Sequence, residues 1–417
     1  MSVLWLVPAC SIILVACPED PTFVASDVAE TTSDTTTAPT DSAATEVEVE
    51  ASRGTPCEHD CIVQVSDDET VAFDAVVDAS GRATVLVFRS PGPNQHHLAM
   101  RRWVAADAAW ELTTLSSSIV EPVQLAVGLD PDGAMHVLAE VGFGLIGGTT
   151  WFRDVGGEWL SGTLVPGRRC LGPSVEGMSD RLVATCVDPD ELELVFLRLE
   201  RDELGLGWRE AAVLPDFGWV SRLDLPQFHP HGWAIDVLGR PHAAWSCCGS
   251  EATVRYAWWD GARWRESELA TPMVAPGVAR RSVRLALDAA GHPHVLHQQE
   301  VESVGELVDR AFESTWGSEV LARAELAGEA VAELLEIAAD ARGRLHLVYQ
   351  LGSSLLYRVY DDGWSSSVTS TVEVDGSVRR IALVVDGDAA HVVFADPAGA
   401  LWWWTPAAPL VPASEDE

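Results

Sequence analysis

The chain has 417 residues, of which 27 are basic and 63 acidic, and its formal net charge is −36. An acidic balance of this size excludes a protein that holds nucleic acid or anionic lipid through its overall charge. The hydrophobic content of 47% is sufficient for a folded core.

The N-terminal segment predicts export. Residues 1–16 hold an apolar run that is too short to span a bilayer and is typical of a signal peptide. The run ends in Leu14-Val15-Ala16-Cys17, which resembles the lipobox of bacterial lipoproteins, where the cysteine carries the lipid. We therefore expect a lipid on Cys17 and a location in the cell envelope, at the outer membrane or the cell surface. The alternative is an ordinary secretory signal with an incidental cysteine.

The next segment, residues 17–56, is rich in Thr, Ser, Ala, Asp and Glu and has almost no large apolar side chains. Such a composition does not bury enough surface to fold, so we predict a disordered acidic tether. A folded domain is expected at residues 57–405, followed by a disordered tail at 406–417. Contact with the membrane is expected through the N-terminal lipid only.

Two markers repeat through the folded domain. A turn aspartate recurs at intervals of 52, 106, 52, 52 and 46 residues, so the interval of 106 contains one degenerate copy. These residues are Asp78, Asp130, Asp236, Asp288, Asp340 and Asp386. A histidine follows in most copies, at His136, His242, His294, His346 and His391. A tryptophan predicted to open the last strand of each unit recurs at Trp110, Trp159, Trp208, Trp264, Trp316 and Trp364.

One unit, residues 337–364, shows what is repeated. Apolar and polar residues alternate and are interrupted by turns at Gly343 and Gly363, which predicts short antiparallel strands. A period of about 45–50 residues with four strands is typical of a β-propeller blade, and one blade cannot bury both of its faces alone. The sequence therefore predicts an all-β propeller built of four-stranded antiparallel blades.

We count seven blades, with six or eight as alternatives. The units begin near Val71, Glu121, Arg169, Gly232, Ser282, Glu333 and Val378. The third is degenerate, because its turn occupies residues 176–180 and Leu182 stands where histidine is expected. The seventh has three strands before Pro406, so we predict that an N-terminal strand, residues 62–65, completes it and closes the ring.

The repeats at residues 285–299 and 337–364 resemble those of bacterial exported propellers. Those repeats share the pattern D-x-x-G-x-x-H followed by G-x-W and are loosely grouped with sialidase-type repeats. The resemblance covers nearly all of residues 71–404. It implies the propeller fold and says little about function, since one fold hosts many activities.

Six cysteines follow Cys17, and an even number in an exported protein indicates disulfides. They are Cys57, Cys61, Cys170, Cys186, Cys247 and Cys248. Cys170 and Cys186 flank the degenerate turn, so we predict a bridge between them. The other four allow local pairs, Cys57 with Cys61 and Cys247 with Cys248, or pairs between the two groups.

Residue types that recur in nearly every unit are interpreted as structural. This applies to the turn aspartates, the histidines and the strand-opening tryptophans, which we expect to pack between blades. The adjacent tryptophans leave two alternatives, burial between blades or an exposed ring for sugar stacking or protein contact. They are Trp258, Trp259, Trp402, Trp403 and Trp404.

Arginines and histidines are predicted to gather on one face of the propeller. In propellers the connections between blades share a face with the loops after the second strands, and that face usually holds the site at the axis. The candidate ligand-binding residues there are Arg89, His96, His97, Arg168, Arg169, His229, His231, Arg280, Arg281, Arg379 and Arg380. Planar guanidinium groups suit a carboxylate, sulfate or phosphate. The alternative is that these arginines pair with nearby Asp and Glu.

We therefore predict a non-catalytic, surface-anchored and monomeric binding protein, lectin-like for an acidic glycan or another anionic ligand, with no cofactor. The alternative is a scaffold that binds a protein of the cell envelope. A sialidase-like glycosidase or lyase is disfavoured, because residues 88–91 resemble the sialidase Phe-Arg-Ile-Pro motif but all four tyrosines occupy strand positions. A metal site at His229, His231 and His242 with Cys247 and Cys248 is disfavoured because disulfides would remove the thiolates.

Overall fold

The computed structural model describes residues 61–92, 95–104, 109–119, 122–142, 148–165, 168, 170–177, 180–191, 193–202, 205–215, 231–246, 253–269, 283–301, 304–325, 334–365 and 369–407. The predicted signal peptide, Cys17, the tether and most of the tail lie outside these ranges. Regular secondary structure within them consists of strands alone. Among the described residues no helix has the length and apolar character needed to cross a membrane.

The described residues form seven antiparallel sheets of four strands each, which confirms the predicted seven-bladed propeller. Blade 1 contains β2 (Thr70–Val77), β3 (Ala83–Gly92), β4 (Gln95–Val104) and β5 (Ala109–Ile119). Blade 2 contains β6 (Pro122–Leu129), β7 (Met135–Val141), β8 (Gly148–Val155) and β9 (Glu158–Thr163). Blade 3 contains β10 (Leu171–Gly177), β11 (Leu182–Asp188), β12 (Glu193–Asp202) and β13 (Gly205–Leu214).

The remaining blades follow the same order along the chain, except the last. Blade 4 contains β14 (His231–Ile235), β15 (Pro241–Ser246), β16 (Val254–Trp259) and β17 (Trp264–Glu268). Blade 5 contains β18 (Arg284–Leu287), β19 (Pro293–Val301), β20 (Val304–Ala311) and β21 (Glu319–Glu325). Blade 6 contains β22 (Leu335–Ala339), β23 (Leu345–Leu351), β24 (Ser354–Tyr360) and β25 (Ser370–Glu373). Blade 7 contains β26 (Arg380–Asp386), β27 (Ala389–Ala395), β28 (Leu401–Thr405) and β1 (Cys61–Ser66).

The N-terminal strand closes the ring, as predicted. The strand order in blade 7 is β1-β28-β27-β26, and β1 runs antiparallel to β28 with Ile62 opposite Trp404 and Val63 opposite Trp403. Val65 is buried in the same apolar cluster as Trp403 and Trp110 of blade 1. The first and last strands of the propeller therefore share one sheet, and the outer edge of β28 is covered by backbone hydrogen bonds.

Apolar side chains fill the space between neighbouring blades. The cluster between blades 6 and 7, for example, joins Tyr357 with Phe394 and Trp404. The repeated tryptophans contribute as expected, since the Trp264 ring lies 5.5 Å from that of Phe196 in the preceding blade. Adjacent blades thus bury each other's faces, as a blade requires for stability.

The position of these tryptophans within the blade was predicted correctly in only part of the repeats. Trp110, Trp159, Trp208 and Trp264 lie in the fourth strands. Trp316 and Trp364 instead form isolated bridges with Phe312 and Tyr360, ahead of β21 and β25. The turn before the fourth strand is longer in blades 5 and 6, so the ring packs from the turn.

Blade 3 differs from the others, and the disulfide predicted for it is confirmed. Cys170 and Cys186 form a disulfide with a Cα–Cα distance of 5.3 Å, which joins the residue before β10 to β11. Val183, and not Leu182, occupies the position of the motif histidine. The motif histidine of blade 2, His136, packs toward the following blade, whereas Leu182 packs toward the preceding one. Cys57, Cys247 and Cys248 lie outside the described residues, so the remaining pairings stay predictions.

Candidate functional site

The strand order places the inter-blade connections on one face of the propeller. Because the four strands of each blade alternate in direction, the connection into a first strand and the turn between the second and third strands lie at the same end. We call this end the connection face. The motif turns, such as the one that Asp340 begins, lie on the opposite face. Among the described candidate residues, Arg168 and Arg379 lie in such connections.

A cavity of about 420 Å³ lies among the first strands of all seven blades. Most of its wall is apolar or backbone, but five charged side chains line it. They are Asp74, Glu176, Arg284, Glu336 and Arg380. Of these, the sequence singled out only Arg380, because the others stand in strands with no motif around them.

Four of these charged side chains form a hydrogen bond or ion pair with a residue of another blade. Arg284 donates to Glu336 in a two-pronged pair, with Nε–Oε2 and Nη2–Oε1 distances of 2.9 and 2.7 Å. Arg380 lies 5.9 Å above the Phe73 ring and donates to the carbonyl of Leu125 at 3.3 Å. These contacts join blade 5 to blade 6, and blade 7 to blades 1 and 2.

Asp74 ties blade 1 to blade 2. Its carboxylate accepts the backbone N–H of Val127 at 2.8 Å and that of Ala75 at 2.9 Å. Burial raises the pKa of Asp74 to about 6, against the opposing effects of these bonds and of the Arg380 charge. Asp74 and Arg380 therefore act as structural parts of the cavity wall, with limited capacity left for a ligand.

Glu176 is the one charged group of the cavity wall without a partner among the described residues. It stands opposite Val183, where blades 2, 4, 5 and 6 place Gly128, Ala234, Ala286 and Ala338 opposite their histidines. Enclosure in the cavity raises the pKa of Glu176 to about 7. Its side chain is nevertheless open to water in the cavity, which screens part of this effect. No local pattern in the sequence marks this residue.

A second group of side chains lies on the connection face, around the segment that joins β1 to β2. We call it the blade 1 rim and define it by Arg89, His96, His97 and Arg379. Arg89 donates from Nη1 to Asp68 at 3.3 Å and stands opposite His97 in the β3–β4 pair. The structure thus brings together the predicted residues of blade 1.

Arginines are concentrated at this rim. Asp68 is shared by Arg89 and by the buried Arg101, whose Nη2 lies 3.1 Å from it. The neighbouring residue, Glu69, is 3.7 Å from the Nη1 atom of Arg379, which is 46% exposed. Three guanidinium groups therefore lie along a segment that carries three carboxylates, Asp67, Asp68 and Glu69, in a chain whose net charge is −36.

One of the two rim histidines, His97, is a poor cation at neutral pH. The pKa of His97 is lowered by burial and, to a smaller extent, by the nearby charges of Arg89 and His96. The Nδ1 atoms of both His96 and His97 find no hydrogen-bond partner among the described residues. Buried polar atoms of this kind are usually satisfied by water or a ligand.

The other predicted site residues are either neutralised or not described. Arg168 faces Glu193 at 2.9 Å and Asp188 and Glu210 at 3.5 Å each, so it fits the alternative of local pairing. Arg169, His229, Arg280, Arg281 and the side chain of His231 lie outside the described part. Within the described ranges no three His, Cys, Asp or Glu side chains are placed to hold a metal ion.

Comparisons with known proteins identify the fold and no family. No protein-family model and no curated protein matches the chain. A lectin from Burkholderia pseudomallei superposes with a TM-score of 0.56 at 14% identity, covering 82% of this chain and 100% of the lectin. An ulvan lyase of a polysaccharide lyase family, bound to a GlcA(1-4)Rha3S saccharide, gives 0.54 at 10% identity, covering 83% of this chain and 95% of the lyase.

Proposed function

We propose that this protein is a non-catalytic glycan-binding propeller whose blade 1 rim takes a carboxylate or sulfate group of an acidic saccharide. The observation that carries the proposal is the gathering of three guanidinium groups, of Arg89, Arg101 and Arg379, around Asp68 and Glu69. Such a concentration of arginines stands out on a chain with 63 acidic and 27 basic residues and favours an anionic ligand.

The chemistry of the rim matches that of an anionic sugar. A guanidinium group offers a planar set of donors that suits the paired oxygens of carboxylate and sulfate. Arg379 is the more accessible donor, whereas Arg89 is held in place by Asp68 and His97. A ligand oxygen near Arg89 would compete with Asp68 for one guanidinium edge.

The structural neighbours support carbohydrate as the class of ligand. One of them is a lectin, and the other is bound to a saccharide with a uronic acid and a sulfated sugar. At identities of 14% and 10% these likenesses concern the fold. The choice of an acidic ligand therefore depends on the rim itself. Lipidation at Cys17 and the tether of residues 17–56 would hold such a propeller at the cell surface and remain part of the proposal.

A glycan array tests the proposal with single variants of the rim. We expect acidic glycans to bind the wild type, and Arg89→Ala and Arg379→Ala each to weaken that binding about tenfold or more, because each removes a charge-assisted hydrogen-bond donor. Arg263→Ala is a matched control, since Arg263 is 67% exposed in a turn on the opposite face.

Two results would overturn it. Binding to acidic glycans that persists in the Arg89→Ala/Arg379→Ala double variant would place the site elsewhere. An array without any acidic glycan among its ligands, together with capture of an envelope protein by the wild type, would favour the scaffold.

A further inference from the structure

A second cavity, of about 350 Å³, lies between blades 6 and 7 and shares no residue with the blade 1 rim. Its walls are the apolar side chains of Val372 and Val374 from blade 6 and of Phe394 and Trp402 from blade 7. We call it the blade 6–7 groove. It is large enough for a small organic ligand, and apolar walls with few polar groups are typical of such sites.

Trp402 gives the groove a fixed aromatic wall. It stands opposite Phe394 in the β27–β28 pair, and its indole Nε1 donates to Asp396 Oδ2 at 3.0 Å. The other six blades place smaller or non-aromatic side chains at the same point of their third strands. These are Ala99, Thr150, Val195, Arg255, Val308 and Leu356. Because the hydrogen bond holds the edge of the indole, its ring is pre-oriented for a ligand in the groove.

The charged groups that border the groove are all acidic. Glu373, Asp375 and Asp396 line it, and no arginine or histidine is among its described lining residues. Glu373 and Asp375 are exposed to water, and Asp375 lies in the connection from β25 to β26. An apolar aromatic cavity with a carboxylate border repels anions and attracts cations.

We propose that the blade 6–7 groove binds a small organic ammonium ion. The alkyl part would contact the apolar walls while the cationic head lies against the Trp402 ring and near Glu373 and Asp375. Attraction between a cation and an aromatic face, with carboxylates close by, is the usual basis of quaternary ammonium recognition. The inference is independent of the blade 1 rim, whose ligand carries the opposite charge.

The test compares two ligands of the same shape and different charge. Choline and its uncharged isostere 3,3-dimethylbutan-1-ol are titrated into the full chain and followed by calorimetry or ligand-observed NMR. We expect saturable binding of choline that is at least about tenfold tighter than that of the alcohol. Equal binding of the two compounds, or no saturable binding of choline, would overturn the proposal.

Variants locate the site. Trp402→Leu and Asp375→Asn should each weaken choline binding severalfold, whereas Glu266→Gln, an exposed carboxylate in blade 4, should leave it unchanged. Asp375→Asn changes an exposed connection and therefore tests the site even if Trp402→Leu fails to fold. If choline binding is unaffected by Asp375→Asn and by a folded Trp402→Leu, the ligand binds elsewhere and the proposal is wrong.

Discussion

The turn aspartate of the repeat is a buried hydrogen-bond acceptor in blades 2, 4 and 6. In blade 6, Asp340 Oδ1 accepts the backbone N–H groups of Arg342 and Arg344 at 2.8 Å each, and Oδ2 accepts from Arg344 Nε at 2.6 Å. His346 lies 3.3 Å away on the other side and bonds the Tyr357 hydroxyl at 2.5 Å. Although burial alone would raise the pKa of Asp340, the bonds from Arg344 and His346 hold it below its usual range.

Removing this acceptor should be costly. We expect Asp340→Ala to lower the free energy of unfolding by about 3 kcal/mol, since the donors on Arg344 and His346 are left without their buried partner. Urea denaturation followed by circular dichroism measures the change. Asp386→Ala is the control, because Asp386 occupies the motif position in blade 7 but is exposed, and its carboxylate accepts no hydrogen bond from a described residue. We expect it to cost less than about 0.5 kcal/mol, and a loss as large as that of Asp340→Ala would refute this account of the motif.

At the scale of single residues, some contacts could be predicted from this sequence and others could not. Arg89 and His97 were found because they flank one loop, and local proximity in the sequence becomes proximity in a strand pair. The sharing of Asp68 between Arg89 and Arg101 depends on the path of the segment between β1 and β2, which no local pattern encodes. Glu176 was missed for the same reason, since only ring closure turns its strand into a cavity wall.

At the scale of the strands, the closing strand β1 has one apolar side chain in the core and another largely in water. Val65 is 1% exposed and packs in the cluster between blades 7 and 1, whereas Ile62 is 44% exposed. Both residues are apolar and lie in the same six-residue strand. They provide a matched pair for testing whether the N-terminal strand stabilises the ring.

We expect Val65→Ala to destabilise the protein by about 1–3 kcal/mol, because it leaves a cavity in a packed core. Ile62→Ala should change the stability by less than about 0.5 kcal/mol, because much of its side chain is already in water. Thermal unfolding of the two variants measures both values. If the two substitutions have the same small effect, β1 does not contribute to the stability of blade 7 as its packing indicates.

The order of the strands was predictable because the turns and the alternation of apolar and polar residues repeat with one period. Seven units, four strands each and the closing strand near residues 62–65 all follow from counting, and the structure confirms them. The displacement of Trp316 and Trp364 into turns was not predictable, because the tryptophan keeps its packing role while the length of the turn varies. The blade 6–7 groove was not predictable either, because its walls come from strands of two different blades.

At the scale of the whole molecule, the net charge of −36 opposes the proposed ligand at long range. Exposed charges farther apart than about 10 Å are largely screened at 0.1 M salt, so this repulsion weakens quickly as salt is added. The contacts of Arg89 and Arg379 with an anion are short and are screened less. We therefore expect an acidic glycan to associate slowly at low salt. Once the complex has formed, the local contacts with Arg89 and Arg379 stabilise it.

The most direct measurement compares an acidic oligosaccharide with its neutral ester. Oligogalacturonate and its methyl ester have the same sugar backbone, and only the first carries carboxylates. Calorimetric titration at moderate salt should show binding of the acid at least about tenfold tighter than that of the ester, because only the acid offers a partner to the guanidinium groups of the blade 1 rim. Equal affinity for the two forms, or tighter binding of the ester, would contradict recognition of an anionic glycan by this propeller.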